Sequence, residues 1–253
     1  MNKNNKTVVV LSIIIVLITI FVNYLANALP INGKTTGEIS DLYPNLFVPA
    51  GFTFLIWGVI YLGLLVYVFY PLIHIKKESE VKLESYFRGK IYFWISCIAN
   101  ILWLLAWHYG FILLSVFFML LILISLIKLW SIYNSGNTEA SYLKIPISIY
   151  FGWISVATIT NFTALFVSRG WAPTEGEASL WAIIMLTIAF SLGLYMLLAR
   201  RDVYFPMVII WAFLGISGKQ MTNDIMVWIM ATTYIVFLLV FIVSIPVKRW
   251  LKA

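Results

Sequence analysis

The sequence predicts an all-α membrane protein whose chain crosses the bilayer several times. Three observations support this fold class. Of the 253 residues, 62% are hydrophobic and only 11% are charged, whereas a soluble domain carries about 25% charged residues. The apolar residues form runs close to the roughly 20 residues that a helix needs to cross a bilayer. The basic residues lie mainly between these runs, as they do in the loops of membrane proteins.

Eight apolar segments are predicted to be transmembrane helices. A single helix from Ile91 to Ile132 would be about 60 Å long, about twice the thickness of a bilayer core. The sequence His108-Tyr109-Gly110 is therefore predicted to form a turn within this stretch. The seventh segment is the shortest. In chain order the predicted segments are Val8–Leu29, Val48–Ile73, Ile91–Trp107, Phe111–Ile132, Ile145–Val167, Leu180–Leu198, Val203–Ser217 and Ile225–Val247.

The distribution of basic residues predicts the orientation. With eight crossings and a cytoplasmic N-terminus, 14 of the 17 Lys and Arg residues lie on the cytoplasmic side, leaving only Lys34, Arg169 and Lys219 outside. Removing one internal crossing would move every later loop to the other side and destroy this asymmetry. We therefore predict a multi-pass protein of the cell membrane with both termini in the cytoplasm.

The first segment has an alternative interpretation. Lys3 and Lys6 precede an apolar stretch that ends in Ala26-Asn27-Ala28, which is also the pattern of a cleavable signal peptide. We favour a retained helix because the hydrophobic run continues to Leu29 and is long enough to span a bilayer.

Several classes of function are disfavoured. The net charge of +7 is spread over short loops, so we predict no nucleic-acid partner. No Asp, Glu, Lys or Arg occupies the centre of a predicted span, which argues against a proton-coupled mechanism. Cys97 is the single cysteine, and His74 and His108 are predicted at opposite membrane faces. With no metalloprotease, P-loop or nucleophile motif, we predict neither an enzyme nor a metal site.

Aromatic and amide side chains recur on one face of three predicted helices. Such stripes are common packing and hydrogen-bonding contacts between membrane helices. They also suit the wall of an apolar pocket, where rings stack on a flat ligand and a few polar groups orient it. The spacings of three, four and seven residues place each set on a single helical face. The stripes are Phe54, Trp57 and Tyr61; Asn100, Trp103 and Trp107; and Trp153, Ala157 and Asn161.

These stripes resemble motifs of the TspO/MBR family, the tryptophan-rich sensory proteins that include the mitochondrial translocator protein. The run from Pro49 through Trp57 to Tyr61 is similar to the proline–aromatic–W-x-x-x-Y segment that opens the family's second helix. Asn100-Ile-Leu-Trp103 is similar to the N-x-x-W of its third helix. The stretch from Trp153 to Asn161 is similar to the W-x-x-x-A-x-x-x-N of its fifth helix. The resemblance covers about residues 8–167.

The chain also departs from the family pattern. Val48 stands where the family has a second proline, and Pro146 lies seven residues before Trp153 rather than next to it. Family members end after five helices, whereas three more are predicted here. The expected organisation is a TspO-like five-helix membrane core over residues 1–170 and a three-helix C-terminal membrane extension over residues 171–253.

The resemblance implies a pocket that opens toward the loop between the first two helices. Family ligands include porphyrins, haem-related tetrapyrroles and sterols. The implied roles are stacking for the tryptophans, orientation of the polar edge for the asparagines and close helix approach at the alanine. No cofactor is required, and haem or a porphyrin would enter as a ligand. The ligand-binding residues implied by the match are Pro49, Trp57, Tyr61, Asn100, Trp103, Trp153, Ala157 and Asn161.

The leading functional hypothesis is therefore a membrane binding protein, either a sensor or a translocator, for a hydrophobic, tetrapyrrole-like small molecule. A transporter whose eight helices enclose a path for an amphipathic solute is one alternative. A regulatory membrane subunit is another. The expected partners are membrane lipid and a hydrophobic small molecule, and a homodimer is a candidate assembly.

The first outer loop, Ile31–Asn45, is predicted to act as a gate. It has about 15 residues, whereas helices in compact bundles are commonly joined by about 2–8. Gly33 and Gly37 give it conformational freedom, and Tyr43 and Phe47 are apolar rings that would pack down as a plug.

Overall fold

The computed structural model describes residues 3–29, 31–74, 84–134 and 141–245, and these residues form helices and no β-strand. The all-α fold class is therefore confirmed. Two short 3₁₀ helices cover Ile31–Gly33 and Gly51–Leu55. The α-helices are α1 (Lys3–Ala28), α2 (Thr36–Asp41), α3 (Ile56–His74), α4 (Glu84–His108), α5 (Ile112–Asn134), α6 (Ser141–Ser168), α7 (Glu175–Leu198), α8 (Tyr204–Gln220) and α9 (Ile225–Ser244).

Each of the eight predicted segments overlaps a long helix, although α3 begins eight residues after the predicted start at Val48. Residues 246–247 of the last segment lie outside the described residues. Within the described residues, seven helices are long and apolar enough to cross a membrane. The exception corresponds to the seventh segment, because α8 has 17 residues. At 1.5 Å per residue it is about 26 Å long, somewhat shorter than a bilayer core of about 30 Å.

The helix boundaries follow local sequence signals. The predicted break between α4 and α5 is formed by Gly110, whose φ of 74° is the left-handed conformation that glycine adopts at low cost. The amide of Phe111 then donates to the carbonyl of Ala106 at 2.9 Å, which closes the end of α4. At the start of α7, Thr174 and Glu177 form a capping box.

The chain folds into two compact units. Unit one comprises Met1–Thr36 and Trp57–Phe151, and unit two comprises Gly37–Ile56 and Gly152–Ala253. In unit one, α1 and α5 both pack against α4. The start of α6 approaches α3 closely at Gly63, where a methyl group would lie 3.0 Å from Cβ of Pro146. Glycine at this position thus permits the close contact.

In unit two, α7, α8 and α9 pack against one another, and α8 also contacts the 3₁₀ helix Gly51–Leu55. Hydroxyl groups join neighbouring helices. The hydroxyls of Ser217 and Thr232 are 3.0 Å apart, and those of Thr187 and Tyr234 are 2.8 Å apart. These bonds link α9 to α8 and to α7.

Three expectations from the sequence stay predictions. The first is the division of the chain at residue 170 into a TspO-like core and a C-terminal extension, which was drawn from the motif resemblance. The cytoplasmic position of the termini rests on the charge pattern, and the basic residues Lys76, Lys77, Lys82, Lys248, Arg249 and Lys252 lie outside the described residues. Gating by the first outer loop also stays a prediction, although its residues 36–41 are helical.

Candidate functional site

The predicted ligand-binding residues are divided between the two units. Unit one contains Trp57, Tyr61, Asn100 and Trp103, and unit two contains Pro49, Trp153, Ala157 and Asn161. The geometry of each set is described separately below.

In unit one, four aromatic rings from α3 and α4 form a stack. The ring of Trp57 stacks on Tyr61, with centroids 5.6 Å apart, and on Trp103, at 6.0 Å. Trp103 in turn stacks on Trp107 at 6.3 Å. We call these four residues the Trp57 stack. The interplanar angles of 18°, 28° and 20° make it a nearly parallel column of rings.

Helical periodicity explains how the stack forms. Trp57 and Tyr61 are four residues apart on α3, and Trp103 and Trp107 are four residues apart on α4, so each pair lies on one face of its helix. Trp57 and Tyr61 are half-buried, whereas Trp103 and Trp107 are buried. Part of the stack thus remains accessible at α3.

A buried amide network lies beside the stack. Nδ2 of Asn23 donates to Oδ1 of Asn100 at 2.8 Å, and Nδ2 of Asn100 donates to the hydroxyl of Tyr150 at 3.1 Å. The ring of Tyr150 meets Trp57 edge-on at 6.1 Å. Asn100 is fully buried. Both ends of its amide are used within the protein, so its role in this structure is to connect α1, α4 and α6.

The sequence analysis did not identify Asn23 or Tyr150. A signal for Asn23 existed, because Thr19, Asn23 and Asn27 follow one another at intervals of four residues on α1. For Tyr150, proximity to the Trp153 stripe was only a weak indication, since it lies three residues away on α6. Neither pattern indicates that these side chains meet Asn100.

Two polar atoms of the Trp57 stack lack a hydrogen-bond partner among the described residues. They are the hydroxyl of Tyr61 and Nε1 of Trp103, and both atoms are buried. The Trp103 side chain is only 5% exposed. An indole N–H can only donate, and a phenol can donate or accept. The stack therefore presents two hydrogen-bond donors beside flat aromatic surfaces.

In unit two the predicted residues do not form a comparable column of rings. Trp153 meets Phe54 edge-on, with centroids 6.0 Å apart. Pro49 is buried and packs close to Gly215 of α8. Asn161 is 2% exposed and Ala157 is half-buried. The contacts given above for Pro49 and Trp153 are packing contacts, and the role of all four residues in ligand binding stays a prediction.

His108 is the last residue of α4, at the helix end where it was predicted, but its burial was not predicted. Its side chain is only 2% exposed. Its Nδ1 is 3.0 Å from the carbonyl oxygen of Ile31, and its Nε2 is 3.2 Å from the hydroxyl of Thr36. Since a carbonyl can only accept, Nδ1 carries a proton. His108 thereby anchors residues 31–36 to the end of α4.

Metal-ligating and thiol side chains are sparse in the described part of the chain. No group of three or more His, Cys, Asp or Glu residues there could hold a metal ion. Cys97 is buried. The side chain of His74 lies outside what the structure describes. The prediction that the protein is not an enzyme stays a prediction.

Comparison with known proteins identifies the family. The family model described as "TSPO-like protein" matches residues 9–244, from the first turns of α1 to the last residue of α9. No curated protein and no solved structure matches the chain. The match includes α7, α8 and α9, so it extends beyond the five helices that carry the motif resemblance. The chain belongs to the TSPO-like protein family.

Proposed function

We propose that this integral membrane protein binds a flat, hydrophobic small molecule that carries hydrogen-bond acceptors, and that the Trp57 stack is the binding site. The observation that carries the proposal is the pair of buried polar atoms without a partner among the described residues, Nε1 of Trp103 and the hydroxyl of Tyr61. Both belong to rings of the same stack.

The energetics favour a ligand at this place. A buried donor without a partner costs about 1–3 kcal/mol, and a ligand acceptor would remove that cost. Aromatic rings packed on one another contribute about 0.5–1.5 kcal/mol beyond the area that they bury. A tetrapyrrole has both required properties, because its conjugated ring is flat and the carboxylates of porphyrins accept hydrogen bonds. A porphyrin or haem is therefore the proposed ligand class, bound rather than used as a cofactor.

Binding of protoporphyrin to the protein in lipid nanodiscs would test the proposal. Quenching of tryptophan fluorescence should saturate, and empty nanodiscs should be measured in parallel to account for porphyrin dissolved in lipid. Trp103→Phe keeps an aromatic ring and removes the N–H. It should weaken binding about fivefold, because one hydrogen bond contributes about 1 kcal/mol and 1.4 kcal/mol is tenfold in affinity.

A matched control is available on the same helix. The indole N–H of Trp94 donates to the hydroxyl of Ser12 at 2.8 Å, so it is already satisfied within the protein. Trp94→Phe removes the same atoms and should leave the porphyrin affinity unchanged. Absence of saturable quenching, or equal affinities for the two variants, would contradict the proposed site.

The proposed partners are membrane lipid and a hydrophobic small molecule. Such a site is compatible with both sensing and translocation. Porphyrin flux into liposomes that contain the protein distinguishes these two functions, since a translocator accelerates flux and a sensor does not. Stoichiometric co-purification with another membrane protein would instead favour a regulatory subunit. The proposed orientation keeps both termini in the cytoplasm, following the basic residues.

A further inference from the structure

The segment that precedes α3 is attached to α8 along its length. This segment, residues 41–53, is called the strap below, and both partners belong to unit two. Polar contacts tie both ends and the middle of the strap to α8. They join Asp41 Oδ1 to Lys219 Nζ (3.0 Å), the Leu46 carbonyl to Gln220 Nε2 (3.0 Å), the Ala50 amide to the Gly215 carbonyl (3.1 Å) and the Thr53 carbonyl to Trp211 Nε1 (2.9 Å).

Gly215 makes the close approach possible. A methyl group at this position would lie 3.0 Å from Cβ of Pro49 and 3.0 Å from Cβ of Thr53, and it would overlap the Thr53 hydroxyl. Contacts of 3.0 Å between carbon atoms are too short for ordinary packing. Any side chain at residue 215 would therefore push the strap away from α8.

The closed strap leaves two polar atoms unsatisfied. Among the described residues, the Thr53 hydroxyl and Oε1 of Gln220 have no hydrogen-bond partner, and both residues are buried. A buried polar atom without a partner disfavours the closed state, because water would bind it once the strap lifts. Against this, Phe47 and Val48 are buried in the closed strap and would be exposed by opening.

We propose that α8 is a clamp and that the strap opens from it as a unit. The polar contacts and the buried apolar residues keep the strap closed, and Gly215 sets how closely it can approach. The unsatisfied Thr53 hydroxyl and the side-chain oxygen Oε1 of Gln220 favour the open state of the strap. This gives the short helix α8, which was predicted only as a membrane span, a role in holding the segment that leads into α3. The proposal does not depend on a ligand at the Trp57 stack.

Hydrogen exchange of the full chain in lipid nanodiscs, without added ligand, tests the clamp. The amides of Phe47, Val48, Ala50 and Thr53 each donate a hydrogen bond and should exchange slowly and at similar rates in the wild type, because they share one opening motion. Gly215→Ala should accelerate their exchange at least about tenfold, since the methyl group displaces the strap. Gly218→Ala is the matched control. It makes the same substitution on the same helix, and nothing lies within 4 Å of the added methyl group.

A second substitution gives the opposite expected effect. Thr53→Val removes the unsatisfied hydroxyl, keeps the shape of the side chain and retains the backbone carbonyl that binds Trp211. It should slow exchange of the strap about threefold, because opening no longer frees a polar group for water. This variant keeps the test informative if Gly215→Ala fails to fold.

Three outcomes would overturn the proposal. One is strap amides in the wild type that exchange as fast as those of an unstructured peptide. Another is equal exchange in the Gly215→Ala and Gly218→Ala variants. The third is faster exchange in the Thr53→Val variant. Porphyrin binding plays no part in these measurements, so their failure and a failure of the proposed binding site would be recognised separately.

Discussion

Unit one contains two clusters of aromatic side chains that differ in their polar atoms. In the Tyr67 cluster, defined as Tyr67, Tyr86, Phe93 and Tyr133, the ring of Tyr67 lies 4.5 Å from Phe93 and 5.1 Å from Tyr86. The hydroxyls of Tyr67 and Tyr133 bond to each other at 2.8 Å. All four rings are buried. The Tyr86 hydroxyl has no hydrogen-bond partner among the described residues. The Trp57 stack has two such atoms and, in contrast to the Tyr67 cluster, is only half-buried on its α3 side.

The comparison shows that aromatic content alone does not identify a binding site. Both clusters bury large rings, which stabilises the fold in either case. The Tyr67 cluster pairs the Tyr67 and Tyr133 hydroxyls internally, so those groups stabilise the fold without a ligand. The Trp57 stack has two hydrogen-bond donors without a partner among the described residues, in a column of rings that remains partly accessible. Because the Tyr86 hydroxyl of the Tyr67 cluster also lacks a partner among the described residues, an unpaired polar atom alone does not mark a site; the Trp57 stack differs in combining such atoms with rings that remain accessible on α3.

The largest expected effect concerns the amide network that borders the Trp57 stack. Asn100→Leu removes both hydrogen bonds of the buried amide and leaves the Tyr150 hydroxyl without its donor. We expect a loss of about 2 kcal/mol in the free energy of unfolding, the typical cost of unsatisfied buried polar groups. Thermal unfolding in detergent measures this loss. Porphyrin affinity should also fall, because Tyr150 contacts the ring of Trp57.

Asn27→Leu is the control for this prediction. Asn27 is exposed, and its amide donates to the backbone carbonyl of Asn23 at 3.0 Å within the same helix. Its replacement should change stability by less than about 0.5 kcal/mol, as is usual for exposed positions. If both variants unfold at the same temperature, the buried network does not support the stack.

A pair of equivalent substitutions tests the comparison directly. Tyr67→Phe removes a paired hydroxyl and should cost about 1 kcal/mol of stability without changing porphyrin affinity. Tyr61→Phe removes an unpaired hydroxyl, so stability should stay the same or rise, while affinity should fall about threefold. Thermal unfolding and fluorescence quenching are measured on both proteins. Weaker porphyrin binding by Tyr67→Phe alone would reverse the assignment of the two clusters.

The smallest expected effect concerns Tyr43, a half-buried tyrosine of unit two that belongs to neither cluster. Burial raises the pKa of Tyr43 above its ordinary value of 10.0. A raised pKa in the folded state stabilises the protein below pH 10, and this contribution is lost as the pH rises through the folded-state pKa. The wild type should therefore lose more stability than Tyr43→Phe between about pH 9 and 11. Equal losses would show that Tyr43 is solvated like an unfolded tyrosine.

Much of the fold could be predicted from the sequence because the relevant signals are local. Hydropathy identified the eight long helices of the described residues, and the break at Gly110 separated α4 from α5. The stripes on α3 and α4 placed Trp57, Tyr61 and Trp103 on the faces from which the stack forms. The motifs also indicated the family, which the match over residues 9–244 confirmed.

The partners of the polar side chains could not be predicted. The family resemblance implies that Asn100 orients a ligand, and that role stays a prediction. Its bonds to Asn23, 77 residues away, and to Tyr150, 50 residues away, were not predicted. Phe54 was expected on the same stripe as Trp57, but it lies in the 3₁₀ helix before α3 and contacts Trp153. Periodicity describes the faces of one helix and contains no information about which other helix meets them.

By itself, the sequence determined which segments are helical, because helical crossing of a bilayer needs a fixed length of apolar residues whatever the neighbours are. It also determined which rings share a helical face, through the spacing of 3.6 residues per turn. The tertiary structure alone decided which polar atoms are satisfied and which are left without a partner. That outcome depends on distances between atoms of different helices, where a shift of about 1 Å makes or removes a hydrogen bond.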